Sequence, residues 1–243
     1  MTDAAILIIG NEILSGRTED ANVAHIARRL ADVGVAVREV RVVPDIENEI
    51  VDALNALRAR YGYVFTTGGI GPTHDDITIV SVAKAFGVAV ARNTRVEEHL
   101  RTTYGNRATE ATLRMADYPE GAALVWHEGD WAPACRMENV FVLAGIPRAM
   151  QVMLAACVPL LGQGAPIHSK TLDVWARESD IADGLAAVQG DYPQLEVGSY
   201  PYRIDNRPGT ALVVRGADAV AVEAAHKAIC AMVEALGVEK RAA

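Results

Sequence analysis

The sequence predicts a three-layer α/β/α domain with a mostly parallel sheet, followed by a small α+β module. Within residues 4–160, short apolar runs typical of buried strands alternate with segments of helical periodicity. The connections between these segments are short, as in β-α-β units, which place helices on both faces of a parallel sheet. Glycine and proline then cluster in residues 161–166, and the pattern changes after them. We therefore expect one domain over residues 1–165 and a second over residues 166–243.

The elements of the first domain follow from its apolar pattern, taken in chain order. The predicted strands are residues 4–9, Val35–Val43, Tyr63–Phe65, Leu124–Val125 and Val140–Leu143. Helices are predicted near residues 20–33, from residue 45 with Ile46 on the apolar face, from residue 76 to Gly87, within residues 94–120, and from Pro147 to Leu161. Asp45 is the expected N-cap of the second helix, and Asp75 or Asp76 that of the third. Gly34 is expected to end the first helix, and Pro147 to begin the last.

The second domain shows the order β-α-β-β-α. The predicted strands are Thr171–Arg177, Leu195–Tyr200 and Thr210–Arg215, with a proline- and glycine-rich loop between the last two. Ser179 is expected to cap the first helix, and the apolar face of the final helix reaches Leu236. This order predicts a small module in which helices cover an antiparallel sheet.

Composition narrows the classes of function. The formal net charge is −8 and the pI is about 5.3, which disfavours a general nucleic-acid binder. The three cysteines are far apart, so neither a disulfide framework nor a zinc site is expected. No apolar run approaches the roughly 18 residues that a membrane span needs. The N-terminus enters a strand directly, without the pattern of a signal peptide. A cytoplasmic protein without membrane or nucleic-acid partners is expected.

The strongest local signal is the segment TTGGIGPTHDDIT at residues 66–78, which we expect to bind an anion. It follows a buried strand, and ligands bind beyond the carboxyl ends of parallel strands. Gly68, Gly69 and Gly71 let backbone N–H groups approach a phosphate, and the following helix directs its positive end to the same place. Four hydroxyls are also available to a ligand, those of Thr66, Thr67, Thr73 and Thr78. The alternative is a tight strand-to-helix turn without a ligand.

Two carboxylates directly after a phosphate-type loop suggest a metal ion. Mg²⁺ between Asp75, Asp76 and an anionic ligand would relieve their repulsion. Because one carboxylate can instead cap the helix, we expect a cap for one and a metal or ligand role for the other.

A second polar loop, GNEILSGRTEDAN at residues 10–22, follows the first strand. Parallel strands place its start at the same sheet edge as the first segment. Glu12, Asp20 and Asn22 are therefore expected to face the same cleft. The alternatives are helix capping for Asp20 or Asn22 and a solvated loop position for Glu12.

Together the two segments resemble the MoaB/Mog-like molybdopterin-binding domain, of the N-terminal type of competence/damage-inducible protein A (CinA), which is also similar to a domain of some FAD synthases. The tail beyond residue 165 resembles the small middle module of CinA. The resemblance implies a three-layer fold, a homo-oligomer, and a pterin or nucleotide phosphate held by the glycine loop. The positions matching the two motifs and the family's aspartate are Gly10, Asn11, Glu12, Gly16, Asp20, Asn22, Asp45, Thr67, Gly68, Gly69, Gly71, Pro72, Thr73, Asp75, Asp76 and Thr78.

Two segments depart from the family pattern. Residues 127–134 read HEGDWAPA and residues 144–150 read AGIPRAM, with Ala149 where the family carries glutamate. The leading hypothesis is a protein that binds a phosphorylated pterin or an adenine nucleotide and acts in molybdenum cofactor handling. One alternative is a Mg²⁺-dependent pyrophosphatase of the ADP-ribose type, with Glu12, Asp75 and Asp76 as catalytic carboxylates. The other is a non-catalytic assembly protein.

Overall fold

A computed structural model describes residues 2–126, 133–162, 164 and 166–241. The chain divides into two compact units, Met1–Gly164 and Ala165–Ala243. The first holds a mostly parallel sheet and the second a small strand-and-helix module, so the predicted fold class is confirmed. No helix in the described part of the chain is long and apolar enough to cross a membrane.

The first unit is built on a six-stranded sheet. In the described residues the strands of this unit are β1 (Thr2–Ile9), β2 (Val35–Val43), β3 (Tyr63–Thr67), β4 (Val90–Arg92), β5 (Asp117–Pro119), β6 (Ala123–Val125), β7 (Ala134–Met137) and β8 (Val140–Leu143). The sheet order is β2-β1-β3-β8-β7-β6, and β4 pairs with β5 separately. Strands β2, β1, β3 and β8 are parallel, while β7 and β6 continue the sheet antiparallel. The carboxyl ends of β1, β3 and β8 therefore lie side by side at one edge.

Helices cover both faces of this sheet. They are α1 (Asn11–Leu14), α2 (Asn22–Ala31), α3 (Glu47–Arg60), α4 (Thr78–Phe86), α5 (Thr94–Tyr104), α6 (Glu110–Leu113) and α7 (Pro147–Cys157). Side chains alternate along β1, so that Leu7 packs in one apolar cluster with residues of α3, α4 and α5, and Ile6 packs in another with α2 and α7. The predicted three-layer arrangement follows from this alternation.

Two predicted helix caps are wrong. Helix α3 follows Ile46 and helix α4 follows Ile77, and no side chain caps either helix. The Asp45 carboxylate instead accepts a hydrogen bond from the amide of Asn11 at 2.8 Å, and Asp76 accepts one from the amide of Thr73. Both carboxylates therefore fix loops at the carboxyl edge of the sheet, where we expected helix caps.

The other helix ends agree better with the sequence. Gly87, with φ of 67°, ends α4, and Pro147 begins α7, as predicted. Gly34 follows α2 with φ of 75°. Ile46 was placed on the apolar face of α3 but is 55% exposed, and Leu161 is buried beyond the end of α7. These two errors concern residues just outside a helix, where the helical period no longer applies.

The second unit has the predicted β-α-β-β-α order. Its elements are β9 (His168–Val174), α8 (Glu178–Asp191), β10 (Glu196–Ile204), β11 (Arg207–Gly216) and α9 (Ala219–Ala235). The sheet is antiparallel in the order β10-β11-β9, and both helices contribute to its apolar core. Ser179 does not cap α8, because the helix already begins at Glu178 after Arg177. The carboxylate of Asp180 accepts the amide hydrogen of Arg177 at this helix start.

The predicted loop between β10 and β11 is largely strand. The two strands continue to a two-residue turn at Asp205 and Asn206, whose φ values of 47° and 65° fit a tight hairpin. Pro201 lies on the edge strand β10, and Pro208 lies beyond the part of β11 that pairs with β9. Neither proline therefore removes an N–H group that the sheet needs.

Candidate functional site

Three loops meet at the carboxyl edge of the parallel strands. Residues 10–21 follow β1 (the first loop), residues 68–77 follow β3 (the glycine loop), and residues 144–146 follow β8 (the third loop). A cleft of about 480 Å³ is lined by all three loops and by the first residue of α7. Its lining residues are Glu12, Thr18, Gly68, Gly69, Ile70, Gly71, Asp76, Ala144, Gly145, Ile146 and Pro147. The structure thus brings Glu12 and Asp76, which are 64 positions apart in the chain, into one cleft.

The glycine loop depends on close approach of main chains. Gly68 has φ of 98°, and a Cβ atom there would lie 2.1 Å from the carbonyl oxygen of Ile9. A Cβ atom on Gly145 would lie 3.1 Å from the Cα atom of Gly68. The end of β1, the glycine loop and the third loop therefore lie in close contact around Gly68, and only glycine fits at this position.

Thr78 holds the glycine loop from within. Its hydroxyl donates to the carbonyl oxygen of Gly68 at 2.8 Å, and its amide donates to that of Gly69 at 2.9 Å. Thr78 is fully buried, as is Thr66, whose hydroxyl has no hydrogen-bond partner among the described residues. Neither residue lines the cleft or the cavities beside it, so the structure does not place these two hydroxyls where a ligand in the cleft would lie. Thr67 is also almost fully buried, at 1% exposure, but lines a small cavity beside the cleft.

The cleft offers hydrogen-bond donors from the main chain. The amides of Gly69, Ile70 and Gly71 donate no hydrogen bond to any residue that the structure describes. Helix α4 begins directly after the loop, and the first residue of α7, Pro147, lines the cleft. Free amides and two helix N-termini place partial positive charge at the glycine-loop side of the cleft, which suits a phosphate there.

The two aspartates of the glycine loop lie in different surroundings. Asp76 lines the cleft, and its Oδ2 atom accepts the amide hydrogen of Thr73 at 2.8 Å. Asp75 is exposed, and the nearby Thr73 side chain and its own backbone lower the pKa of its carboxyl, although the Thr73 hydroxyl itself donates to Asp76. Low pKa values favour the ionised form that binds a cation. Pro72 and Thr73 are exposed in the same turn.

A metal ion in this site would need oxygen atoms from its ligand. No group of three or more His, Cys, Asp or Glu side chains in the described residues is arranged to hold a metal ion. Mg²⁺ is commonly held by one or two carboxylates together with phosphate oxygens and water. Asp76, which lines the cleft, could supply one such carboxylate, whereas Asp75 does not line it.

The first loop divides into structural and cleft-lining residues. The Asp20 carboxylate accepts the amide hydrogens of Val23 at 2.8 Å and Asn22 at 3.2 Å, so it caps the start of α2. Gly16 has φ of 71° and forms a turn with open space around it. Glu12 lies in the short helix α1 and lines the cleft. Of these residues, Glu12 is placed to meet a ligand.

Asn22 and Asp45 connect this loop to its neighbours. The Asn22 Nδ2 group donates to the carbonyl oxygen of Gly145 at 2.8 Å, which joins the first loop to the third. Gly10 is buried, and its amide donates to the carbonyl oxygen of Val43. The amide of the next residue, Asn11, donates to the carboxylate of Asp45. These contacts hold the first loop against the edge of the sheet.

The sequence did not identify Thr18 or the third loop as part of the cleft. Strand β8 was predicted, and its place beside β3 in a parallel sheet was the signal available for the loop that follows it. Ala149, where the family carries glutamate, is partly buried against the apolar cluster under α7 and does not line the cleft. The altered residues 127–132 lie outside the described part of the chain.

A second cavity adjoins the glycine loop. It has a volume of about 250 Å³ and shares Ile70, Gly71 and Asp76 with the cleft, while its other walls are mostly apolar and include Leu100 and Cys135. Burial raises the pKa of the Cys135 thiol to about 12, so this thiol is not a nucleophile near neutral pH. With apolar walls and a few polar residues, among them Arg114 and Asp117, the cavity suits a ring that is attached to a molecule in the cleft and carries hydrogen-bonding groups.

Two family models match the chain, one on each unit. The model described as "Probable molybdopterin binding domain" matches residues 5–163, and the model described as "FAD synthase, middle domain" matches residues 166–241.

Relatives cover most of the chain. A protein of Archaeoglobus fulgidus is 34% identical over 208 residues, which are 86% of this chain and 87% of that protein. A CinA-like protein of Frankia casuarinae is 36% identical over 75% of this chain, but the match spans 46% of that protein. The solved structure of a CinA protein of unknown function from Thermoplasma acidophilum matches with a TM-score of 0.59 and 32% identity, covering 64% of this chain and 95% of that one.

Proposed function

We propose a ligand for the cleft on the premise that this chain belongs to the molybdopterin-binding domain family, in its CinA-like group. The ligand is a small molecule that carries a phosphate on a flat heterocycle, either a phosphorylated pterin or an adenine nucleotide. In this proposal the phosphate lies on the glycine loop, and the protein acts in the handling of molybdenum cofactor.

The observation that carries the proposal is the set of free loop amides. Gly69, Ile70 and Gly71 present N–H groups without a partner in the described residues, beside the start of α4. A phosphate there would accept those hydrogen bonds and meet the positive end of the helix. The net charge of the chain is −8, so this local group of donors is what supports an anion in an acidic protein.

The adjoining cavity supports a heterocycle as part of the ligand. Ile70 and Gly71 line both the cleft and the 250 Å³ cavity, so a molecule on the loop can extend into apolar surroundings. Leu100 and Tyr118 contribute apolar walls there. A bicyclic ring, as in a pterin or an adenine, matches such a cavity in character.

Titration calorimetry with AMP, ADP-ribose and molybdopterin tests the proposal. We expect at least one of them to bind and to raise the melting temperature, since a ligand at 100 times its Kd adds about 2.7 kcal/mol of stability. No heat and no thermal shift with any of the three would contradict the proposal. That result would favour the non-catalytic assembly protein instead.

A second function is favoured by one specific observation, the presence of the Glu12 and Asp76 carboxylates in one cleft, with Asp75 next to Asp76 in the chain. We propose as the alternative that Asp76, with Asp75 beside it, holds Mg²⁺ against a pyrophosphate of the ADP-ribose type. The metal would neutralise the phosphates, and Glu12, on the opposite loop of the same cleft, would orient the attacking water. Homo-oligomer formation and a cytoplasmic location stay predictions from the family and the composition.

For this alternative we expect Asp76→Asn to lower Mg²⁺-dependent release of AMP from ADP-ribose at least about tenfold. The control is Asp180→Asn, which also alters a carboxylate that accepts a backbone amide hydrogen, but in the second unit. Product release would be followed by chromatography with and without Mg²⁺. Equal rates in Asp76→Asn and the wild type, or equal rates with and without the metal, would exclude the proposed role.

A further inference from the structure

Asn22 holds a hydrogen-bond acceptor that the protein does not satisfy. The residue is 5% exposed, and its Nδ2 group donates to the carbonyl oxygen of Gly145 at 2.8 Å. That bond sets the orientation of the side-chain amide, because the reverse orientation would place Oδ1 against another oxygen atom. The Oδ1 atom is buried and receives no hydrogen bond from any described residue. A buried acceptor without a donor is destabilising, so a donor from outside the chain is expected.

We propose that Asn22 Oδ1 accepts a hydrogen bond from the bound ligand, so that the site selects phosphorylated compounds that also carry a hydroxyl or amino group. This inference rests on the proposed function, in that it requires a phosphate on the glycine loop. It adds the side chain that distinguishes one phosphorylated compound from another.

The space beside Asn22 suits a small group. A cavity of about 70 Å³ is lined by Asn22, Thr67 and residues of the first loop. It shares Glu12, Thr18, Gly68, Gly145 and Pro147 with the cleft, so the two spaces adjoin. About 10–15 Å³ of such volume holds one water molecule, so there is room for a hydroxyl or amino group.

The charge around this small cavity favours a donor. Glu12, Glu19 and Asp20 all line it. Their carboxylates disfavour a phosphate or carbonyl oxygen and favour the positive end of an O–H or N–H bond. We therefore expect one ligand to place an anionic group on the glycine loop and a hydrogen-bond donor in the small cavity beside Asn22.

Matched nucleotides test the inference. AMP would be compared by calorimetry with 2′-deoxy-AMP and 3′-deoxy-AMP, which lack one sugar hydroxyl, and with IMP, which has an oxygen in place of the amino group. We expect one of these analogues to bind the wild-type protein about tenfold or more weakly than AMP. In Asn22→Leu that difference should disappear, because no acceptor remains to read the donor. The analogue that loses affinity identifies the group as a hydroxyl or an amino group.

Asn139→Leu is the matched control. Asn139 directly precedes β8, at the end of that strand that lies away from the cleft. Its Nδ2 group also donates to main-chain carbonyl oxygens, those of Arg58 at 3.0 Å and Tyr61 at 2.9 Å. This variant loses structural hydrogen bonds and should keep the preference for AMP. If Asn22→Leu does not fold, Asn22→Ala serves, because alanine also lacks the acceptor. Equal affinities in the wild-type series would overturn the inference without either variant.

Equal affinities of all four nucleotides for the wild-type protein would overturn the inference, as would the same preference in Asn22→Leu. A parallel titration with inorganic pyrophosphate separates the two proposals. Pyrophosphate binding without any preference among the nucleotides contradicts only the role of Asn22. Failure of pyrophosphate and of every nucleotide to bind contradicts the phosphate site itself, and the inference with it.

Discussion

Gly68→Ala is expected to destabilise the first unit by about 3 kcal/mol or more and to abolish ligand binding. The added Cβ atom would lie 2.1 Å from the carbonyl oxygen of Ile9, which is main chain and cannot rotate away. The φ of 98° adds strain for any side chain, typically about 1 kcal/mol or more. The glycine loop must therefore move away from β1, and its amides lose their common direction. Urea unfolding followed by circular dichroism measures the loss of stability.

Gly121→Ala is the control for this prediction. Gly121 has a similar φ of 83° in the turn between β5 and β6, but no atom lies within 4 Å of the position of an added Cβ. We therefore expect Gly121→Ala to lower the free energy of unfolding only by the backbone strain, about 1 kcal/mol, and to leave ligand binding unchanged. If both variants lost the same stability, the close contact between Gly68 and Ile9 would not be what shapes the loop.

Thr78→Val is expected to cost about 1–3 kcal/mol and to weaken ligand binding about tenfold or more. The substitution conserves volume but removes the hydroxyl that donates to the carbonyl oxygen of Gly68 at 2.8 Å in a fully buried position. That carbonyl group then lacks a donor and turns, and the peptide plane that carries the Gly69 amide turns with it. Calorimetry with AMP or pyrophosphate measures the binding, and urea unfolding the stability.

Thr210→Val separates stability from binding. Thr210 is also fully buried, and its hydroxyl donates to a main-chain carbonyl oxygen, that of Ala176, at 2.9 Å. It lies in the second unit, so the same chemical loss should destabilise that unit and leave the affinity for the ligand unchanged. Comparable weakening of binding by both variants would indicate that Thr78 acts through general stability and not through the loop.

The sheet was predictable where apolar runs were long enough. Strand β2, at the edge of the sheet, was predicted with the observed bounds from its alternating pattern. Strands β1 and β3 were predicted with shorter bounds, because buried parallel strands are nearly continuous apolar runs. Strand β7, with four residues, was missed. It contains Arg136 and lies two residues before β8, so it shows no separate apolar run.

Helix caps were less predictable, because a carboxylate next to a helix can accept a hydrogen bond from another donor in place of the helix amides. Asp45 stands directly before α3, yet it binds the amide of Asn11, 34 residues away in the chain. Asp76 binds Thr73 within the glycine loop instead of the end of α4. A local pattern ranks these residues as caps but contains no information on the competing donor.

The site, too, was predictable in its location but not in the orientation of its side chains. Its location at the carboxyl ends of parallel strands followed from the position of the glycine loop after a strand. The direction of each side chain did not, and the hydroxyl of Thr78 turned out to point back to Gly68. The third loop lines the cleft because β8 pairs with β3. These two strands are about 75 residues apart in the chain, so no local pattern indicates their pairing.

The most direct test of the phosphate site is an amide NMR titration of the whole chain with inorganic pyrophosphate. We predict that the largest shifts and the strongest protection from hydrogen exchange fall on the amides of Gly69, Ile70 and Gly71, with smaller shifts at the start of α4. The same titration of Gly68→Ala should show none of these changes. Unshifted loop amides at saturating pyrophosphate, or shifts confined to the second unit, would contradict the assignment of the glycine loop as the ligand site.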